Sequence, residues 1–328
     1  MCDNLCHVFL TFAISAYYIA CHAARQEFSG GIMAIIIDGK KIARDIRMEI
    51  RDEALELKAK TGIVPGLAVI LAGEDPASKI YVGRKEDACK DAGFVSREYR
   101  LPADVHENDL TDIIGDLNLD NGVHGILVQL PLPGHINPNI IIEAIDPGKD
   151  VDGFHPYNIG RLFYGNPCHR ACTPMGILEL LDRSGVEIEG KEAVIVGRSN
   201  IVGKPLALML LARHATVTVC HTRTKDLSEV TGRAELLVSA AGKPEMITGG
   251  MVRDGAVVID VGMNRLGSGK LVGDIAFHEV SETASHITPV PGGVGPMTIA
   301  MLLRNTLNAA HLVANPGAIS NIKMKNEK

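Results

Sequence analysis

The stretch SKIYVGRKEDACK places Tyr81 and Lys85 four residues apart, on one face of any helix that forms there. A tyrosine ring can stack on a flat heterocycle while the neighbouring lysine exchanges protons, and burial would draw the lysine pKa towards neutrality. On a solvent-facing helix the same pair is ordinary, so its meaning depends on what else the chain supplies. VQLPLP supplies Gln129 at the carboxyl end of an apolar segment, where open α/β sheets place their ligand crevice. A side-chain amide there can orient a lysine. KDVDGFHPYNIG supplies Asp150 and Asp152 in a turn-rich stretch. Both could accept hydrogen bonds from an amino-pyrimidine ring, or simply build an Asx turn.

A second constellation is GRSNIVGKP (197–205), directly behind the apolar EAVIVG. A Walker A loop has four residues between its first glycine and the Gly-Lys pair, then Ser or Thr for magnesium. Here five residues intervene and Pro205 follows Lys204. The dinucleotide fingerprint fits better, although Ser199 stands where its second glycine would be. Strand, tight turn and helix leave backbone N–H groups facing a phosphate. Gly197 permits the turn, Gly203 permits close approach of the helix, and Arg198 offers a planar fork to an anion. Further on, ITPVPGGVGPMT (287–298) is stiffened by three prolines and opened by three glycines, so backbone can approach a ligand and stay rigid. CHRAC sets Cys168 and Cys172 around His169, but two thiols without a second pair fall short of a zinc site, and no metal is expected.

Such residues need a scaffold. With 328 residues, 46% hydrophobic and 22% charged, the chain has material for about two domains. Its net charge of −6 and lack of a long basic run argue against nucleic acid and for a small-molecule partner. Seven scattered cysteines make no disulfide framework and fit a reducing compartment. The apolar run VFLTFAISAYYIA (8–20) is too short to span a bilayer, and no basic residue precedes it as an export signal requires. Residues 1–32 are therefore read as an extension outside the fold, with Met33 as the natural start, and no membrane partner is expected.

From Asp38 onward, strand-like and helical patterns alternate as in a parallel sheet covered by helices. Helices are expected at 39–60, 80–93, with Gly93 as its stop, and 107–118. Strands are expected at 67–73, 95–101 and 124–133. Thr173 is expected to cap a helix over 173–185, with Pro174 at its first position. Four strands then follow at 192–197, 215–222, 234–242 and 255–262, with a helix over 202–214 behind the first. The fold class is α/β: two α/β domains around a cleft, the second a Rossmann-like doubly wound parallel sheet. Residues 33–172 form the first domain, completed by a terminal helix in 296–318 that crosses back to it, and 173–295 form the second.

YVGRK, VQLPLP, KDVDGF, GRSNIVGKP and TPVPGGVGPMT, in this order between about Ile36 and Leu312, resemble the signature segments of the methylenetetrahydrofolate dehydrogenase and methenyltetrahydrofolate cyclohydrolase family, usually bifunctional. The resemblance implies oxidation of 5,10-methylenetetrahydrofolate and hydrolysis of the methenyl product to 10-formyltetrahydrofolate. It puts the catalytic lysine at Lys85, the folate-packing tyrosine at Tyr81, the glutamine that tunes the lysine at Gln129 and the pterin-holding aspartate at Asp152. Pro291 and Gly292 fall in the loop lining the folate pocket. Gly197, Arg198 and Ser199 match the dinucleotide loop, Thr222 the end of the next strand, and Met263 a position near the nicotinamide. Asp87 departs from the pattern, since many relatives carry a second lysine there. The expected cofactor is NADP rather than NAD: Arg198 and Arg223 lie where a 2′-phosphate would sit, and no acidic residue ends ATVTVCHT to claim a free ribose hydroxyl. The family also implies a homodimer, and the reducing compartment that the cysteines fit is read as the cytoplasm. Two other readings remain open, a dehydrogenase without cyclohydrolase activity and a P-loop nucleotide-binding protein built on GRSNIVGKP.

Overall fold

Strand and helix alternation begins with β1 (Ile35–Ile36) and α1 (Gly39–Thr61) in a computed structural model that describes residues 33–315. The extension 1–32 with its apolar run, and residues 316–318 of the terminal segment, lie outside the described residues. Asp38 opens α1 by accepting a hydrogen bond from the Lys41 N–H, and Gly62 closes it at φ +76°. Between those caps Ala43, Ile46, Ile50, Ala54 and Leu57 are buried, the spacing of one helix face.

The first sheet comprises β2 (Gly66–Ala72), β3 (Val95–Leu101) and β4 (Gly125–Val128), separated in the chain by α2 (Pro76–Asp91) and α3 (Glu107–Leu119). Its strands are parallel in the order β3-β2-β4. Every residue of GLAVILA in β2 is buried, as a central strand covered on both faces requires. Gly93, at φ +73°, lies just past the end of α2. After α4 (Pro138–Ala144) and α5 (Pro156–Phe163) comes α6 (Cys172–Arg183). Thr173 is not its cap: the N-cap is Ala171, and the Thr173 hydroxyl instead meets that of Thr298 at 3.0 Å.

The second sheet draws on β5 (Glu192–Val196), β6 (Thr216–Cys220), β7 (Leu236–Ser239) and β8 (Val257–Asp260), with α7 (Gly203–Leu211) and α8 (Leu227–Thr231) between them. A small antiparallel pair, β9 (Asn264–Arg265) and β10 (Leu271–Val272), precedes α9 (Phe277–Ser281), β11 (His286–Ile287) and the long α10 (Val294–Ala314). The sheet has six strands in the order β1-β11-β8-β7-β5-β6, all pairs parallel. Two of its strands escape the sequence pattern, because two residues carry no periodicity. Ile35 and Ile36 pair with His286 and Ile287, so the chain's first strand belongs to the second sheet.

α10 packs along α1 and α6 and reaches α2, β2 and β4. One continuous apolar core therefore runs from Ile46 and Leu67 through Ile177, Met297 and Leu303 to Ile195 and Val238. Ion pairs Arg183–Glu49 and Arg304–Glu53 tie α6 and α10 to α1 at the surface. Among the described residues no helix is long and apolar enough to cross a membrane.

Candidate active site

Asp75 caps α2 by accepting from the Ser78 N–H, and Pro76 occupies its first turn. Val82, Ala88 and Cys89 turn into the core. Tyr81 and Lys85, four residues apart, take the adjoining ridge. Lys85 is 9% exposed, and its Nζ donates to Gln129 Oε1 at 2.9 Å. Gln129 follows β4 directly. Its backbone N–H bonds Ile70, and its Nε2 donates to the Leu130 carbonyl at 2.6 Å, which leaves Oε1 aimed at the lysine. Burial pushes the Lys85 ammonium below its ordinary value, partly opposed by the charge at Asp152.

The two aspartates of KDVDGF separate by use. Asp150 accepts from the backbone N–H groups of Phe154 and His155 and from Asn158 Nδ2, so it is spent inside the turn. Asp152 receives no hydrogen bond on its carboxylate from the described residues. Burial raises it to about 6 against the opposing pull of Lys85. Its backbone is held firmly. Gly153, at φ +74°, has no room for a Cβ, which would meet Arg170 C at 2.4 Å. Cys172 N–H bonds the Asp152 carbonyl, and Asn305 Nδ2 donates to the carbonyls of Val151 and Arg170.

CHRAC has a structural use. His169 bonds the Gly148 carbonyl and Cys172 Sγ donates to the Val151 carbonyl at 3.2 Å. The Cys172 thiol, pushed well up by burial, interacts electrostatically with both Lys85 and Asp152.

Tyr81 crosses to the second sheet, its O–H donating to Met263 Sδ at 2.6 Å. Met263 Cε lies against Gly295 at the start of α10. In the preceding loop Pro291 is exposed, while Gly292 is buried at φ +115° with the Lys40 side chain over it. Tyr81, Met263 and the start of α10 thus meet where the two sides of the cleft join.

The turn between β5 and α7 is built by absence of side chains. Gly197 adopts φ +133°, and a Cβ there would meet the Ala240 carbonyl oxygen at 2.3 Å. A Cβ on Gly203 would meet the Gly197 carbonyl oxygen at 2.0 Å. Ser199 Oγ accepts from the N–H groups of Val202 and Gly203, which leaves its own proton to donate outward. Such a turn fits a dinucleotide phosphate at a helix N-terminus. It does not build a Walker A loop, because Lys204 Nζ is bonded to Asn200 Oδ1 at 2.7 Å and Pro205 is buried in α7. Arg198 is exposed. β6 ends at Cys220, so Thr222 and Arg223 stand exposed in the turn beyond it rather than on the strand. Since Val196 pairs with Cys220, that turn neighbours the β5 turn.

Models of the tetrahydrofolate dehydrogenase/cyclohydrolase catalytic domain and of its NAD(P)-binding domain match residues 37–152 and 171–314. The chain belongs to this family. The bifunctional protein FolD of Geotalea uraniireducens is 59% identical over 278 residues, 85% of this chain and 99% of that relative. The crystal structure of the bifunctional FolD enzyme of Campylobacter jejuni is 51% identical with TM-score 0.83, covering 85% of this chain and 99% of that one. The Trypanosoma brucei enzyme, solved with NADP and an inhibitor, is 39% identical with TM-score 0.83 over 86% and 99% of the two chains.

Four residues near the site escape a reading of residue types. Cys172 and Asn305 lie far along the chain from Lys85, and contact rather than spacing brings them in. Asp260 and Asp274 sit in DVG and GDI, where short glycine-flanked acidic tripeptides were the available signal.

Proposed function

We propose that this chain oxidises 5,10-methylenetetrahydrofolate with NADP and hydrolyses the resulting methenyl compound to 10-formyltetrahydrofolate in the cleft between its two sheets. One observation carries the reading: the buried Lys85 ammonium meets Gln129 at 2.9 Å beside an unspent Asp152, and Tyr81 joins that group to the glycine-shaped turn side of the cleft. Both activities are those of the family to which the chain belongs.

Asp152, with both carboxylate oxygens open, accepts hydrogen bonds from the pterin's amino-pyrimidine edge, and Tyr81 packs against the ring system. Pro291 and Gly292 line the same pocket. The bound dinucleotide supplies a hydride acceptor for the methylene carbon, a step that asks for positioning more than proton transfer. Gly197, Arg198 and Ser199 would hold its pyrophosphate, with Thr222 in the neighbouring turn and Met263 towards the nicotinamide. Arg198 and Arg223 favour NADP, since both are exposed cations where an additional phosphate is to be met.

In hydrolysis, water adds to the cationic methenyl carbon between N5 and N10. Lys85, neutral in a fraction that burial enlarges, takes the water's proton. It returns that proton to N5 as the N5–carbon bond breaks, and the remaining hydroxyl proton leaves to solvent as the formyl C=O forms on N10. Gln129 keeps the amine on this trajectory through Oε1. A single carboxamide acceptor orients the lysine without fixing its charge as a carboxylate partner would. Lys85, Gln129 and Asp152 are all present, which favours the bifunctional reading over a dehydrogenase alone.

Residues 33–172 with the terminal helix form the folate-binding unit and 173–295 the cofactor unit, with β1 lent to the second sheet. A cytoplasmic homodimer paired through the cofactor unit completes the reading. The test is an assay on 5,10-methylenetetrahydrofolate with NADP that follows absorbance of the methenyl intermediate. NADPH should form without its accumulation. Accumulation would identify a dehydrogenase alone, and absence of NADPH would overturn the assignment.

A further inference from the structure

Asp274 is fully buried and takes five hydrogen bonds from two different loops. Its Oδ2 accepts from Ala241 N at 2.7 Å, Gly242 N at 3.1 Å and Ser239 Oγ at 3.2 Å. Its Oδ1 accepts from Lys243 N and Asn264 Nδ2, both at 2.9 Å. Three successive backbone N–H groups converging on one point form a nest of the kind that binds anions, and here an internal carboxylate fills it.

The first of these loops follows β7. Its Ala240 carbonyl is the wall against which Gly197 is packed, so the loop sets where the β5 turn lies. The second carries Asn264 and, one residue before it, Met263, whose sulfur receives the Tyr81 O–H. Asp274 is thus bonded at once to the segment that carries the support of the dinucleotide turn and to Asn264, the neighbour of the residue that meets the folate-side tyrosine.

Its own place is fixed by Asp260, which accepts from the N–H groups of Gly262, Asp274 and Ile275. The two carboxylates interlock with glycines. A Cβ on Gly262 would meet Asp274 Oδ1 at 2.2 Å, and one on Gly273 would meet Asp260 Oδ2 at 1.7 Å.

We propose that Asp274 is a positioning residue for the dehydrogenase step, holding the cofactor-supporting loop and the Met263 loop in one register while taking no part in hydrolysis. The inference rests on the function proposed above. It separates the two activities, because Asp274 contacts neither Lys85, Gln129 nor Asp152.

Asp274→Asn keeps the shape but removes the charge and turns an acceptor into an N–H₂ group facing N–H donors. Charge-assisted hydrogen bonds of this kind are worth enough that NADP binding, followed by calorimetry, should weaken about tenfold or more. The dehydrogenase kcat should fall with it, while cofactor-free hydrolysis of methenyltetrahydrofolate stays within about twofold. Unchanged NADP affinity and kcat would overturn the proposal, as would a parallel loss of both activities. Should this variant fail to fold, Asn264→Ala removes one bond only. It should lower the dehydrogenase kcat about threefold or more at unchanged hydrolysis; an unaltered kcat there also overturns the proposal. If the unmodified chain performs neither reaction, the function fails rather than the inference.

Discussion

Lys85 and the half-buried Asp152 on one side of the cleft, and the buried Asp260 and Asp274 on the other, are ionisable groups put to opposite uses. Among the described residues Lys85 has one amide acceptor and the Asp152 carboxylate no donor, whereas Asp260 receives three hydrogen bonds and Asp274 five. A shifted pKa does not separate the regions. Burial lifts Asp260 to about 7 and Asp152 to about 6. What separates them is unspent hydrogen-bonding capacity. On the folate side it is left open for a substrate with polar ring edges, and on the cofactor side the protein consumes it to fix backbone. Proton transfer needs ionisable groups held short of satisfaction, while hydride transfer needs only a rigid floor.

The largest expected break of this comparison is Lys85→Met. Hydrolysis should fall by about 10²–10⁴-fold, the usual worth of a positioned acid–base group, with NADPH formation retained. The same variant should be more thermostable. The folded pKa of Lys85 lies below its unfolded value, so the native state binds the proton less readily and the charged lysine costs stability. That cost shrinks as pH rises towards the unfolded value, and the midpoint gain in Lys85→Met should shrink with it. A gain independent of pH would point to packing instead.

Gly203→Ala attacks the other side. Its Cβ would sit 2.0 Å from the Gly197 carbonyl oxygen, so the turn must open. Overpacking of this sort costs about 1–3 kcal/mol, and NADP affinity should drop by about tenfold or more while hydrolysis survives. Equal loss of both activities would show that the two sides are not separable. Arg198→Gln and Arg223→Gln should each raise the NADP dissociation constant about tenfold, the value of one charged hydrogen bond, and leave NAD binding nearly unchanged. An equal effect on both cofactors would remove the 2′-phosphate from their role.

The smallest effect is on stability through Asp152. Its folded value of about 6 exceeds the ordinary 3.8, so its contribution is fully present below the unfolded value and is lost as pH rises through 6. Asp152→Asn should therefore raise the unfolding midpoint at pH 7.5 more than at pH 4, while KM for the folate increases. An equal shift at both pH values would mean that the carboxylate is already neutral or already paired.

Much of this was legible in residue order. Strands such as GLAVILA and EAVIV announce themselves by apolar runs, and Gly197 and Gly203 by a turn that only glycine can make. Lys85 and Gln129 could be paired through the family that YVGRK and VQLPLP resemble. Asp150 and Asp152 could not be told apart by residue type. The N–H groups of Phe154 and His155 decide between them, and those are properties of a folded turn. Thr173 looked like a cap because Pro174 follows it, but the cap of α6 lies two residues earlier, at Ala171, and the Thr173 hydroxyl meets that of Thr298.

By itself, the order of amino acids determined the alternation of elements, the chemical kinds of group available and, through its signature segments, the family. Those depend on local periodicity and on motifs continuous in the chain. Only the tertiary structure decided that Ile35 and Ile36 close the far sheet, that Asn305 braces the Asp152 turn, and that Tyr81 reaches Met263 across the cleft. Each of these joins residues more than a hundred positions apart, where burial and hydrogen-bond geometry select the partner and no spacing along the chain records it.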